Sequence, residues 1–183
     1  MAIRPIRLFG DQILRQTAVP VVDFDKELRD LVRDLTDTMM DANGGGIAAP
    51  QIGVGLRVFT YVFEGQIGHV VNPVVEMVGD EEQFGQEGCL SIPGLPFDCR
   101  RSLKVVTSGF NMYGQPLSVE GSGRLSVIIQ HETDHLDGIL FVDRLDPQNR
   151  EAAEAAIKAA EWSGGVVPEI RLSPHAPLRA SRA

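Results

Sequence analysis

The sequence predicts a chain that mixes helices and strands, on three observations. A helical period runs through residues 25–42, segments rich in Val, Phe and Tyr follow it, and helical character returns from residue 123. In the first segment Leu28, Leu31, Val32, Leu35 and Met39 recur at spacings of three and four, which makes one apolar helix face. Asp23 or Asp25 can cap its first turn. Asn43-Gly44-Gly45-Gly46 ends it, because glycine takes left-handed backbone without steric cost. A short helical turn is expected earlier, at residues 11–15 after Gly10. Strands are expected at residues 57–63, 69–78 and 103–112; Tyr113-Gly114-Gln115-Pro116 reads as a turn and residues 117–120 as the returning arm of a hairpin. The second helix is expected over residues 123–137, capped by Ser122 and stopped by Gly138. Leu125, Val127, Ile128 and Ile129 leave it little polar surface, so burial on most sides is expected. A third, alanine-rich helix covers about residues 148–162. Past Trp162 the composition turns to proline and small residues without periodicity. The expected organisation is a domain of residues 1–162 and a flexible tail of residues 163–183.

Composition narrows the function classes. Seventeen basic against 25 acidic side chains give a formal net charge of −8, which argues against a broad nucleic-acid surface built from clustered Lys and Arg. No apolar run approaches the roughly 20 residues of a membrane span, and the opening Met1-Ala2-Ile3-Arg4-Pro5 lacks a signal-peptide core. A cytoplasmic location is expected. There a disulfide between the two cysteines, Cys89 and Cys99, is not, so thiol chemistry or metal ligation is the better question.

Chemistry concentrates at His131-Glu132-Thr133-Asp134-His135. On a helix the two imidazoles lie one turn apart on one face and can bind one metal ion, with the glutamate near enough to handle a proton on a bound water. Such a site needs a third ligand. His69 falls in an expected strand and His175 in the tail, whereas Cys89 sits in the glycine-containing polar stretch Gln86-Glu87-Gly88-Cys89-Leu90-Ser91, read as a loop. A thiolate there would complete a three-ligand site with one position open to water. A closed structural site of Cys89, Cys99, His131 and His135 stays open at this point, although ten residues separate the cysteines, more than a zinc knuckle uses. Gly44-Gly45-Gly46-Ile47-Ala48-Ala49-Pro50-Gln51 is not a phosphate loop, since no Gly-Lys-Ser/Thr follows. Its small residues would let a peptide backbone approach, and Gln51 brings an amide that can donate to a developing oxyanion.

These three stretches, in this order, resemble peptide deformylase, a family with a glycine-alanine-glutamine motif, a Glu-Gly-Cys-Leu-Ser motif and a His-Glu-x-x-His motif. The resemblance extends from Pro5-Ile6-Arg7-Leu8-Phe9-Gly10-Asp11 to about Trp162. It implies an α+β fold in which mainly antiparallel sheets partly wrap a central helix that carries the histidines. It implies removal of the formyl group from N-formylmethionine on nascent polypeptides by attack of metal-bound hydroxide, releasing formate. Cys89, His131 and His135 would hold one Fe2+, which Zn2+, Ni2+ or Co2+ could replace, and a thiolate with ferrous iron would be oxygen-sensitive. Glu132 would move the proton, and Gln51 with the Leu90 backbone N–H would stabilise the oxyanion. Gly46 and Gly88 would bind the substrate backbone; Val127 and Ile128, with His131, would line the methionine pocket. Asp134 and Arg101 would orient the ligands. Two positions depart from the family: Gly45, where an apolar residue is usual, removes a pocket wall, and Pro96 stands where relatives often carry arginine. The third helix is not basic, so the net-basic tail is the better candidate for docking on the ribosome near the exit tunnel.

Overall fold

A computed structural model describes residues 2–163. Asp11 caps a 3-10 turn at Gln12–Arg15, as expected. Helix α1 spans Lys26–Asp41, and the Asp25 side chain accepts from the Leu28 N–H at 3.1 Å. Asn43, with φ at 53°, turns the chain out of it. Strand β1 is Gly46–Ala48, a 3-10 turn covers Ala49–Ile52, β2 is Val58–Phe63 and β3 is Gln66–Met77. Then come β4, Glu82–Cys89, and β5, Ile92–Ser102. Strands β6, Lys104–Phe110, and β7, Pro116–Ser122, form the hairpin foreseen around Tyr113. Helix α2 spans Arg124–Leu136 and α3 spans Pro147–Ala159.

Five strands pair antiparallel in the order β1-β2-β3-β6-β7, and β4 pairs antiparallel with β5 as a separate hairpin. The large sheet is apolar on both faces. Val58 and Val71 pack with Leu28, Leu31, Leu35 and Met39 of α1. Their chain neighbours Phe59 and Val70 point the other way and pack with Ile129 and Leu136 of α2. A third cluster joins Ile92 and Cys99 of β5 to Phe141, Ala153 and Ile157. Helix α2 therefore lies between the large sheet and the hairpin, and nine of its 13 residues are buried. This is the α+β arrangement with a central helix that the resemblance implied.

Three readings need correction. The stretch around Cys89 is not a loop: Cys89 ends β4 and pairs with Ile92 across a tight turn. Nor does Ser122 cap α2. It is still paired with Lys104 in the β6–β7 ladder, and Gly123, at φ 56° and ψ −126°, turns the chain into the helix without a side-chain cap. The stretch after Gly44-Gly45 is more than a helix stop, since β1 joins the sheet edge. Beyond Ser163, which donates to the Ala160 carbonyl at 2.9 Å, the expected tail lies outside the described residues.

Candidate metal centre

Strand β4 alternates. Glu87 and Cys89 turn inward and are buried, while Gly88 between them is exposed. That alternation aims a carboxylate and a thiol at the face of α2 that carries His131 and His135. The ligand atoms of Cys89, His131 and His135 all lie within 4.8 Å of one another, and the Cys89 Sγ is 3.2 Å from the His135 Nε2. One thiolate and two imidazoles suit a transition-metal ion with a further position left for water. Among the described residues this is the one such cluster. Cys99 is not part of it; its thiol faces the Arg100 carbonyl, and burial pushes it up to about 11. His69 accepts from the Met112 N–H at 3.0 Å, and His175 lies outside the described residues. The structural four-ligand reading is thereby left without its fourth ligand.

Behind the ligands stands a buried ion network. The Glu87 carboxylate accepts from Arg101 at 2.7 and 2.9 Å and faces the His131 Nδ1 at 2.6 Å. That contact turns the His131 Nε2 toward the cluster. Arg101 also donates to Asp134 at 2.6 Å, and Arg144 donates to Asp134 at 2.7 and 3.2 Å. Burial alone would raise the Glu87 carboxyl, but the hydrogen bonds from Arg101 and His131 outweigh it and hold it at about 2. Burial likewise opposes charge on Arg101, and Glu87 with Asp134 more than restores it. Glu87 and Arg144 had no assigned role in the sequence. A glutamate two residues before the cysteine, hence on the same strand face, was the available signal for the first.

Glu132 lines the cleft, fully buried, with its Oε2 unpartnered. Burial pushes its carboxyl up to about 7. A cation alongside would pull it back down. Gly46 explains itself here: a Cβ at that position would stand 2.5 Å from the Glu132 Oε1. The Gln51 amide is oriented from both ends. Its Oε1 accepts from the Ala48 N–H at 2.8 Å, and its Nε2 donates to the Ser91 Oγ at 3.1 Å, with the Cys89 Sγ 3.7 Å away. Ser91, fully buried and unassigned in the sequence, also donates its N–H to the Cys89 Sγ at 3.4 Å. The N-terminal segment ties these turns together: the Arg7 N–H donates to the Gln51 carbonyl and the Phe9 N–H to the Ser91 carbonyl.

The cleft that opens onto this cluster has a volume of about 350 Å³. Gly44, Gly45 and Gly46 form one wall, Gly88, Cys89 and Leu90 another, and Val127, Ile128, His131 and Glu132 the floor. A Cβ on Gly45 would touch the Ile128 Cδ1 at 3.7 Å, so the missing side chain leaves room beside Ile128. Pro96 comes within 3.9 Å of where a Gly88 Cβ would stand. The arrangement suits hydrolysis of an amide: a candidate metal site, a buried carboxylate for protons, and the Gln51 side-chain amide 3.7 Å from the Cys89 Sγ.

Comparison with known proteins agrees. The family described as Polypeptide deformylase matches residues 3–151. A peptide deformylase of Acidothermus cellulolyticus is 57% identical over 175 residues, covering 96% of each chain. One from Parafrankia sp. is 56% identical over 176 residues, again covering 96% of each. The crystal structure of peptide deformylase from Thermus thermophilus superposes with a TM-score of 0.81 at 40% identity, covering 86% of this chain and 94% of that one.

Proposed function

The chain belongs to the polypeptide deformylase family and removes N-formyl groups from nascent peptides, and from that premise we propose how its residues divide the work. Cys89, His131 and His135 hold one ion, Fe2+ in the cell, with Zn2+, Ni2+ or Co2+ able to substitute. The mutual approach of these ligand atoms to within 4.8 Å beside the buried Glu132 carries the reading. Ferrous iron rests on the family resemblance, because the donor set suits zinc equally. Metal analysis of protein purified without oxygen identifies the ion. When bound, it supplies an activated water and a Lewis acid for the formyl carbonyl.

Glu132 takes the proton from the attacking water and returns it to the leaving amine. The Gln51 Nε2 and the Leu90 backbone N–H donate to the formyl oxygen as charge develops there. Gly46, on the free edge of β1, and Gly88, on the exposed side of β4, receive the substrate backbone as an added strand. Val127 and Ile128 take the methionine side chain. Arg101, on β5, ties the helix to the ligand strand through its ion pairs with Asp134 at 2.6 Å and Glu87 at 2.7 Å. The domain is residues 1–162, it works in the cytoplasm, and residues 163–183 dock it on the ribosome near the exit tunnel; co-sedimentation that survives deletion of residues 164–183 overturns that last assignment.

Turnover of formyl-Met-Ala-Ser by correctly metallated protein tests the whole. Glu132→Gln keeps the metal and loses about a hundredfold or more in rate, since the base goes while the shape remains. Loss of metal from that variant would mean that Glu132 is misassigned.

A further inference from the structure

Among the described residues, Arg124 is the only arginine or lysine in the wall of the cleft. It is exposed, and among the described residues no hydrogen bond or ion pair involves its side chain. This sets it apart from Arg101 and Arg144, whose charges Glu87 and Asp134 take up. It is the first residue of α2 and stands three and four residues before Val127 and Ile128, which in turn stand four and three before His131. These residues form one stripe along the helix, running from the metal ligands through the apolar floor to the cleft mouth.

The spacing of that stripe fits the repeat of an extended peptide. Each helical turn advances about 5.4 Å, and alternate side chains of a strand are about 6.6 Å apart on one face. On the binding mode set out above, on which this inference rests, the first side chain lies over Val127 and Ile128. The second points away. The third returns to the same face one repeat further from the metal, beside Arg124. We propose that Arg124 is a specificity-determining residue that favours formylated peptides with an acidic side chain at the third position and disfavours basic ones. Its stem covers the apolar floor while its guanidinium meets the substrate charge at the mouth.

Two opposing effects set the size of the preference. The chain carries a net charge of −8, which repels an acidic peptide at long range. That field is screened beyond about 8 Å at physiological ionic strength, whereas a contact pair is screened less. An exposed pair gains little beyond the thermal energy, enough to bias one charge over the other but not to exclude either. With attraction for Glu and repulsion for Lys combined, a preference of about threefold to tenfold follows.

The test compares formyl-Met-Ala-Glu, formyl-Met-Ala-Gln and formyl-Met-Ala-Lys, each with an amidated C-terminus so that no terminal carboxylate confuses the readout. The expected order of kcat/KM is Glu, Gln, Lys, expressed in KM rather than kcat and shrinking as salt is raised. In Arg124→Gln the Glu-to-Lys ratio falls to one or below, and Arg124→Lys restores part of it. Equal turnover of the three peptides by the wild-type enzyme overturns the inference and leaves the deformylase reading intact. A preference that persists unchanged in Arg124→Gln removes it from Arg124. Failure of all three peptides to react would overturn the binding mode and the inference together. Should Arg124→Gln not fold, Arg124→Met, which keeps the stem and removes the charge, is expected to abolish the preference, and a preference unchanged in it overturns the inference.

Discussion

The five-stranded sheet carries apolar side chains on both faces, packed by α1 on one and α2 on the other, whereas the β4–β5 hairpin is polar and exposed along most of β4. A two-stranded hairpin alone is marginal in water. This one is fastened to α2 by charge: Arg101 on β5 grips Glu87 on β4 and Asp134 on α2. The large sheet gives α2 its place. The ion network holds Glu87, and with it the end of β4 that carries Cys89. Stability and metal geometry are thus entrusted to different kinds of interaction in adjoining halves of one molecule, and substitutions should separate them.

The largest effect is expected from Arg101→Leu, which leaves the Glu87 carboxylate buried without its cation and Asp134 with Arg144 alone. Breaking such a network costs about 3–5 kcal/mol, and the loss should extend to metal. Affinity is expected to fall about tenfold to a hundredfold, because Glu87 no longer holds His131 and β4 no longer presents Cys89. Denaturant unfolding and metal titration measure the two. Retained metal affinity in a destabilised Arg101→Leu protein would break the division of labour. Phe59→Ala is the converse. Its side chain is fully buried between the large sheet and α2, and deletion costs about 3 kcal/mol or more. The fraction that stays folded at low temperature should keep its metal and its KM. Ser91→Ala has the smallest effect, about 1 kcal/mol for one buried hydrogen bond. It frees the Gln51 amide while leaving the Arg101 network whole, so kcat should fall by about fivefold with the melting midpoint nearly unchanged. A loss of stability as large as that of Arg101→Leu would show Ser91 to be structural instead.

Legibility in the sequence follows the same line. α1 announced itself through apolar spacing, and β2, β3 and the β6–β7 hairpin through their Val, Phe and Tyr and the turn at Tyr113, because these elements line a core. Strand β1 is three residues long, too short for any period. In β4 and β5, Glu-Gln-Phe-Gly-Gln-Glu-Gly-Cys and its partner present no apolar alternation, since their inward groups are Glu87, Cys89, Cys99 and Arg101. The site fared better than the strand that bears it. His131 and His135 were readable from helix spacing, Cys89 and Gln51 from the residue types of their own stretches, and Arg101 from the resemblance. Glu87 and Ser91 were not, because their roles depend on pairings across 44 and 40 residues that local pattern does not encode. Ser122 failed as a cap for a related reason: the β6 partner claimed it first.

The indole N–H of Trp162 donates to the Pro93 carbonyl at 3.2 Å, across 69 residues of chain. Pro93 lies in β5, just past the turn that Cys89 opens, so the last described turn of the molecule straps the partner of the strand that carries Cys89. This bears on the order of manufacture. A chain released or stalled before residue 135 lacks an imidazole ligand, and one that ends before residue 162 lacks the strap. The enzyme that serves growing chains cannot close this strap until its own synthesis has passed residue 162.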